Sequence, residues 1–213
     1  MVMFPVRVAL AGLAGYALGT LPSADIAARL NGVDLRAEGT GNPGAMNASH
    51  VLGTSWGVAV TVGDGGKGVA AARVGAALAG SAGANAAASA AVAGHCFPPG
   101  RTGGKGVATS IGQVLGTFPA YLPVDVTVGY LTTKLPVGRH RTRAATSVAS
   151  AMWIGAATVA WRRGWRGPGG SPASVALPLG ALASTVVIAA RFAAEAEKVE
   201  AYNLTLVGEE DAA

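Results

Sequence analysis

Apolar residues run along this chain in long blocks separated by short polar loops. The blocks are 8–30, broken by Pro22 and Asp25; 51–62, which is short; and 69–94, Ala-rich and holding Arg73 and Asn85. Then come 106–133, interrupted by Pro119, Pro123 and Asp125, and the cleaner blocks 144–161 and 173–190. A helix needs about 20 mostly apolar residues to cross a bilayer, and several blocks approach that length. The last two contain no charged residue, which argues against the amphipathic helices of a soluble protein. Backbone polar groups in hydrocarbon must bond internally, so each block is expected to be helical. The 106–133 block reads as two short helices, and the count is five to seven. The N-terminal run after Arg7 has the outline of a signal peptide, but it continues towards a polar segment rich in chemistry and is read as a span.

Composition agrees with this pattern. Of the 213 residues only 13% are charged and 51% are hydrophobic, and mean hydropathy is +0.42. A soluble domain carries roughly 25% charged residues. The apolar mass is largely Ala, Val, Leu and Gly, small residues that let membrane helices approach closely. The length suits one domain: a membrane domain over 1–195 and an acidic tail over 196–213. The net charge of +5 is too small and too scattered to argue for nucleic acid. With Cys96 as the one cysteine, an intrachain disulfide is excluded. No Cys/His cluster has the spacing of a metal site, and no nucleophile motif is present.

Charge also bears on orientation. Basic short loops favour the cytoplasm, which suits 135–143, with Arg139, His140, Arg141 and Arg143. One span later, Arg162, Arg163 and Arg166 would lie outside. The two loops cannot both obey the rule.

Two loops carry candidate chemistry. Glu38-Gly-Thr-Gly-Asn-Pro-Gly-Ala-Met-Asn47 holds three glycines and two asparagines. Successive backbone N–H groups in such turns make a concave anion site, and a helix starting near Asn47 would add its N-terminal dipole. The plainer reading is a helix connection with capping residues. Thr102-Gly-Gly-Lys-Gly-Val-Ala-Thr109 resembles a phosphate cradle. It is not a Walker A loop, because Gly100 lies one residue too close to Gly104 and Gly106 stands in the Ser/Thr place. Lys105 could equally snorkel to headgroups. Asp64-Gly-Gly-Lys67 repeats part of this pattern as a tight glycine turn whose Asp–Lys pair would be mutually neutralising. No histidine is followed five residues later by an aspartate.

Taken together, these segments resemble a known family. Gly19-Thr-Leu-Pro-Ser23, Asp34-Leu-Arg36 and Gly39-Thr-Gly-Asn-Pro-Gly-Ala-Met-Asn47 resemble the first motif of the acyl-phosphate-dependent glycerol-3-phosphate acyltransferases, the PlsY family. Gly94-His-Cys-Phe-Pro98 with Gly103-Gly-Lys-Gly-Val-Ala-Thr109 resembles the second, and Asp64 to Gly68 an Asp-x-x-Lys-Gly between them. The likeness is continuous from about residue 8 to 133. It implies an all-α integral membrane enzyme of about seven transmembrane helices, some short or broken, in the plasma or inner membrane. Its N-terminus would be outside and its functional loops at the cytoplasmic face, which settles the charge conflict. The enzyme would transfer a fatty acyl group from acyl phosphate to the 1-hydroxyl of glycerol 3-phosphate, without cofactor or metal. Its partners would be these two substrates and the lipid bilayer, in a monomeric protein.

The resemblance carries roles over. Thr40, Gly41, Asn42 and Asn47 would hold the acyl-phosphate's phosphate, with His95 assisting and Ser23 in the wall. Gly103, Gly104 and Lys105 would bind the phosphate of glycerol 3-phosphate. His95, Asn42 and Lys105 would carry the chemistry, with His50 and Asn203 as further substrate contacts. The chain departs from the family pattern at Met46 and His50, where Thr (in G-A-T-N) and Arg are usual, and at Glu200 and Leu206, where His and Arg are usual. His50 replaces a permanent bidentate cation, and Glu200 would repel a dianion. A catalytically impaired relative that binds a phosphorylated lipid, or serves as a partner subunit, is the alternative. A small transporter would rest only on Asp25, Arg73, Asn85 and Asp125 at membrane depth.

Overall fold

The structure, a computed structural model, describes residues 3–132, 134, 141–170 and 172–210, with side chains at 141 and 197–210 outside the description. Every regular element among them is helical. Helix α1 (Met3–Gly19) ends ahead of Pro22, and α2 (Ser23–Leu30) follows; the residue before a proline is pushed away from helical geometry. A polar loop leads to α3 (Ala45–Leu52) and then α4 (Thr54–Cys96). Pro119 separates α5 (Val107–Thr117) from α6 (Leu122–Thr132) through one 3-10 turn, as the sequence led us to expect. Helices α7 (Arg141–Arg162) and α8 (Ala176–Glu210) complete the chain, α8 running through the expected boundary at 195.

Helix α4 corrects the sequence reading. Its backbone leaves helical geometry at Ala79 (φ −147°) and Gly80 (φ +59°), a left-handed angle that glycine adopts freely. There the chain doubles back into two antiparallel arms, 54–78 and 81–96. Lys67 Nζ consequently lies 3.1 Å from His95 Nδ1, although a straight helix would part them by about 42 Å. The expected glycine turn at Asp64 to Gly68 is an unbroken stretch of the first arm, and the reversal falls inside the expected 69–94 block. Three glycines dilute helix propensity at 63, 65 and 66, but packing overrides propensity.

The hairpin is the spine. Gly15 and Gly19 of α1 lie directly against the carbonyls of Ala87 and Ala91 on the second arm, where any side chain would collide. Helix α5 lies on the first arm, where Gly68 meets Thr109. Helix α8 meets the second arm through Val92, Cys96 and Ile188. A separate cluster of Val114, Phe118, Tyr121, Trp153 and Leu177 joins α5, α7 and α8. Leu13, Val62, Leu179 and Val186 are large apolar side chains left exposed. Four helices are long and apolar enough to span a bilayer, α4 among them. An apolar exterior on such helices is what a lipid solvent requires, and the chain is an all-α integral membrane protein.

Candidate active site

The hairpin brings loops far apart in sequence to one end of the bundle. The break before Pro22, the loop at 31–44, the hairpin level of Asp64, Lys67 and His95, and the loop at 98–104 line a cavity open to solvent, with about 270 Å³ of empty space.

Two charge clusters organise this cavity. In the first, Asp25 accepts hydrogen bonds from Arg36 Nη1 at 2.6 Å and from Arg101 Nη1 at 2.7 Å. Arg36 also donates to the Thr102 carbonyl at 2.8 Å, and Arg101 to the Thr20 carbonyl. One carboxylate thus ties both motif loops to α2. In the second, Lys67 donates to Asp64 Oδ1 at 2.8 Å and to the Leu21 carbonyl at 2.9 Å. Both side chains are at least 95% buried. An ammonium has no acceptor, so its 3.1 Å contact with His95 makes Nδ1 the acceptor. The ring hydrogen is thereby assigned to Nε2, on the side where a Cβ at Gly104 would collide with it. The 3.5 Å approach of Nδ1 to Asp64 Oδ1 is too long to compete. The cavity wall carries three cations, Arg36, Lys67 and Arg101, against the two carboxylates Asp25 and Asp64. That leaves the wall one positive charge in excess.

Beside it opens an apolar groove of about 960 Å³ between α5, α6, α7 and α8. Its mouth is Met46 and Val107, each three residues from a cavity-lining residue, Pro43 and Gly104.

A model of the glycerol-3-phosphate acyltransferases matches residues 9–200. The chain belongs to the glycerol-3-phosphate acyltransferase family. It is 38% identical to the family's enzyme from Maricaulis maris over 167 residues, 76% of this chain and 74% of that one. It is 41% identical to that from Exiguobacterium sibiricum over 122 residues, 56% of this chain and 59% of the relative. For several such relatives the chain spans less than two thirds of their length. Among solved structures it resembles PlsY, an integral membrane glycerol 3-phosphate acyltransferase, in its glycerol 3-phosphate form. The TM-score is 0.71 and the identity 26%, covering 91% of this chain and 92% of the other.

The residues expected from the acyltransferase motifs fall into three groups. Ser23, His95, Gly103 and Gly104 line the cavity. Gly41 and Asn42 belong to the loop at 31–44, and Asn47 follows on the first turn of α3. There Asn47, 1% exposed, accepts from Thr40 N at 2.8 Å and donates to the carbonyls of Leu35 and Glu38. All its hydrogen-bonding groups are spent on holding the loop. Asn42 Oδ1 is buried without a partner, and the Thr40 side chain is exposed. Lys105 and His50 stand apart from the cavity. Lys105 Nζ is 3.1 Å from Glu195 Oε1 and 5.3 Å from the Phe192 ring centroid. His50 is exposed on the last turn of α3. The side chains of Asn203, Glu200 and Leu206 lie outside the described residues, as does His140.

Sequence reasoning missed Arg101 and Arg191 and gave Asp25 and Lys67 no part in the site. Arg191 is buried and donates to the Gly103 carbonyl at 2.9 Å, so α8 pins the glycine loop. The available signal was charge inside apolar runs, which is costly in a membrane unless it is paired. The four groups offered for a transporter share no path. Asp25 lines the polar cavity, Asp125 the apolar groove, and Arg73 and Asn85 a third cavity.

Proposed function

We propose that the protein transfers a fatty acyl group from acyl phosphate to the 1-hydroxyl of glycerol 3-phosphate, at the cytoplasmic face of the plasma or inner membrane. The observation that carries this reading is the adjacency of a cation-lined polar cavity and an apolar groove, joined where Pro43 leads to Met46 and Gly104 to Val107. An acyl phosphate needs both environments at once. Its chain would lie in the groove and its phosphate at the glycine loops.

In the step itself the 1-hydroxyl oxygen attacks the acyl carbonyl carbon. The bond from that carbon to the phosphate oxygen breaks, and the hydroxyl proton passes to the departing phosphate. The products are lysophosphatidate and inorganic phosphate. Phosphate is already a good leaving group, so the protein's part is placement and charge stabilisation. Placement is worth up to about 7–11 kcal/mol, and preorganised donors lower the barrier where negative charge develops. His95 suits the second task. With Lys67 on Nδ1, its Nε2 hydrogen is a fixed donor beside Gly104. Lys105, at the groove-side end of the same loop, would take the phosphate of glycerol 3-phosphate in exchange for Glu195.

Purified protein in lipid nanodiscs, given acyl phosphate and glycerol 3-phosphate, is expected to release phosphate and form lysophosphatidate. Folded protein that yields neither overturns the reading. A second reading, a binding protein without turnover, is favoured by the engagement of Lys105 with Glu195. It predicts glycerol 3-phosphate binding by calorimetry with no product.

A further inference from the structure

The apolar groove is not uniformly apolar. Helices α5, α6 and α7 contribute Val114, Asp125 and Trp153 at the end far from the loops, Trp153 about 16 Å along α7 beyond Thr142. Trp153 is 4% exposed, and its Nε1 hydrogen has no acceptor. Tyr121 stacks on it with ring centroids 5.0 Å apart, and its hydroxyl is likewise buried without a partner. Asp125, also in the groove lining, makes no hydrogen bond or ion pair among the described residues and lies within electrostatic reach of Tyr121. The hydroxyls nearer the mouth are different: Ser110, Thr146 and Thr185 all donate to carbonyls of their own helices.

Polar groups in a lipid-facing interior are expensive when they lack partners. Buried tryptophan and tyrosine ordinarily find one for the N–H or O–H. A plain hydrocarbon chain lying in this groove would supply none. The unmet groups are two donors, Trp153 Nε1 and the Tyr121 hydroxyl, and an acceptor, the Asp125 carboxylate; of these, Trp153 and Asp125 line the groove. A hydroxyl is the smallest group that serves both, accepting from one and donating to the other.

We propose that the groove selects acyl chains bearing a hydroxyl well along the chain, held between Trp153 and Asp125. This rests on the acyltransferase reading for the name of the bound molecule, since it specifies the donor that reading requires. It names a substrate class that the motif loops do not encode, because none of the groups concerned lies in them.

The test is a binding measurement that does not depend on turnover. Octadecanoic acid and its counterpart hydroxylated in the distal half of the chain are used to displace a fluorescent fatty acid from the purified full chain. The hydroxylated acid is expected to bind about tenfold more tightly, the factor of one buried hydrogen bond. Trp153→Phe, which keeps the ring and its stacking, and Asp125→Leu should each bring the ratio of the two affinities close to one, whatever either does to binding of the plain acid. Equal affinities in the unsubstituted protein, or a preference that survives both substitutions, overturn the proposal. A parallel assay with the two acyl phosphates separates the two readings. Selective binding without turnover would sink the acyltransferase activity and leave the selectivity standing, whereas turnover with no preference would do the reverse.

Discussion

Lys105 Nζ lies 3.1 Å from Glu195 Oε1, so the lysine of the second motif reaches α8 instead of the polar cavity. Both side chains are only partly buried, at 27% and 29% exposed. The second oxygen, Glu195 Oε2, is buried with no hydrogen bond. On the proposed role of Lys105, the carboxylate would compete with an incoming phosphate.

That competition has a measurable sign. Glu195→Gln is expected to lower the glycerol 3-phosphate KM by about two- to fivefold, the range of a partly exposed ion pair. Lys105→Ala should raise it roughly 10- to 100-fold, the worth of a hydrogen bond to a charged group. Steady-state kinetics at saturating acyl phosphate checks both. An unchanged KM in Lys105→Ala removes this residue from the substrate site.

His50 gives a gain-of-function prediction. Arginine presents a fork of parallel donors that fits phosphate where imidazole offers one N–H at a time. His50→Arg should lower the glycerol 3-phosphate KM by about three- to tenfold. The same assay reports it, and continued absence of turnover alongside measurable binding would favour the non-catalytic reading.

The Asp64–Lys67 pair should be structural as well as positional. Removing one partner of a buried pair leaves an uncompensated charge and costs about 3–5 kcal/mol. Lys67→Met is expected to lower the unfolding temperature in detergent markedly. The double variant Asp64→Asn/Lys67→Met should recover most of the loss, since it buries no lone charge. Equal melting of the single and double variants would refute the account.

Gly104 is held to glycine by contact. An added Cβ would collide with His95 Nε2 and come within 3.0 Å of the Pro43 carbonyl. Gly104→Ala should cut kcat at least about tenfold by displacing the imidazole donor, with little change in unfolding temperature. A retained kcat would show that His95 Nε2 has no part in the step.

Several of these features are legible along the chain. The block pattern announced the membrane helices, and Pro119 announced the division between α5 and α6. The motif marked Asn47 as a substrate contact, but not as the brace that spends its amide on Thr40, Leu35 and Glu38. The partners of Arg101 and Arg191 could not be read along the chain, because each lies more than 75 positions away.

The sequence by itself determined what depends on neighbours a few residues apart. That includes the helical, lipid-facing character of the blocks, the glycine loops able to approach phosphate, and the motifs that mark the acyltransferase family. The tertiary structure decided what depends on where the chain turns back. The reversal at Ala79 and Gly80 is set by packing of the hairpin arms against each other and against α1. Composition marks no boundary there, since alanine and glycine fill both sides. Once the chain doubles back, the low dielectric around it leaves each charge little choice but the nearest partner. The pairings of Asp25 with Arg36 and Arg101, of Lys67 with Asp64 and His95, and of Lys105 with Glu195 follow from that geometry. So do the unmet Trp153 Nε1 and Asp125 in the groove.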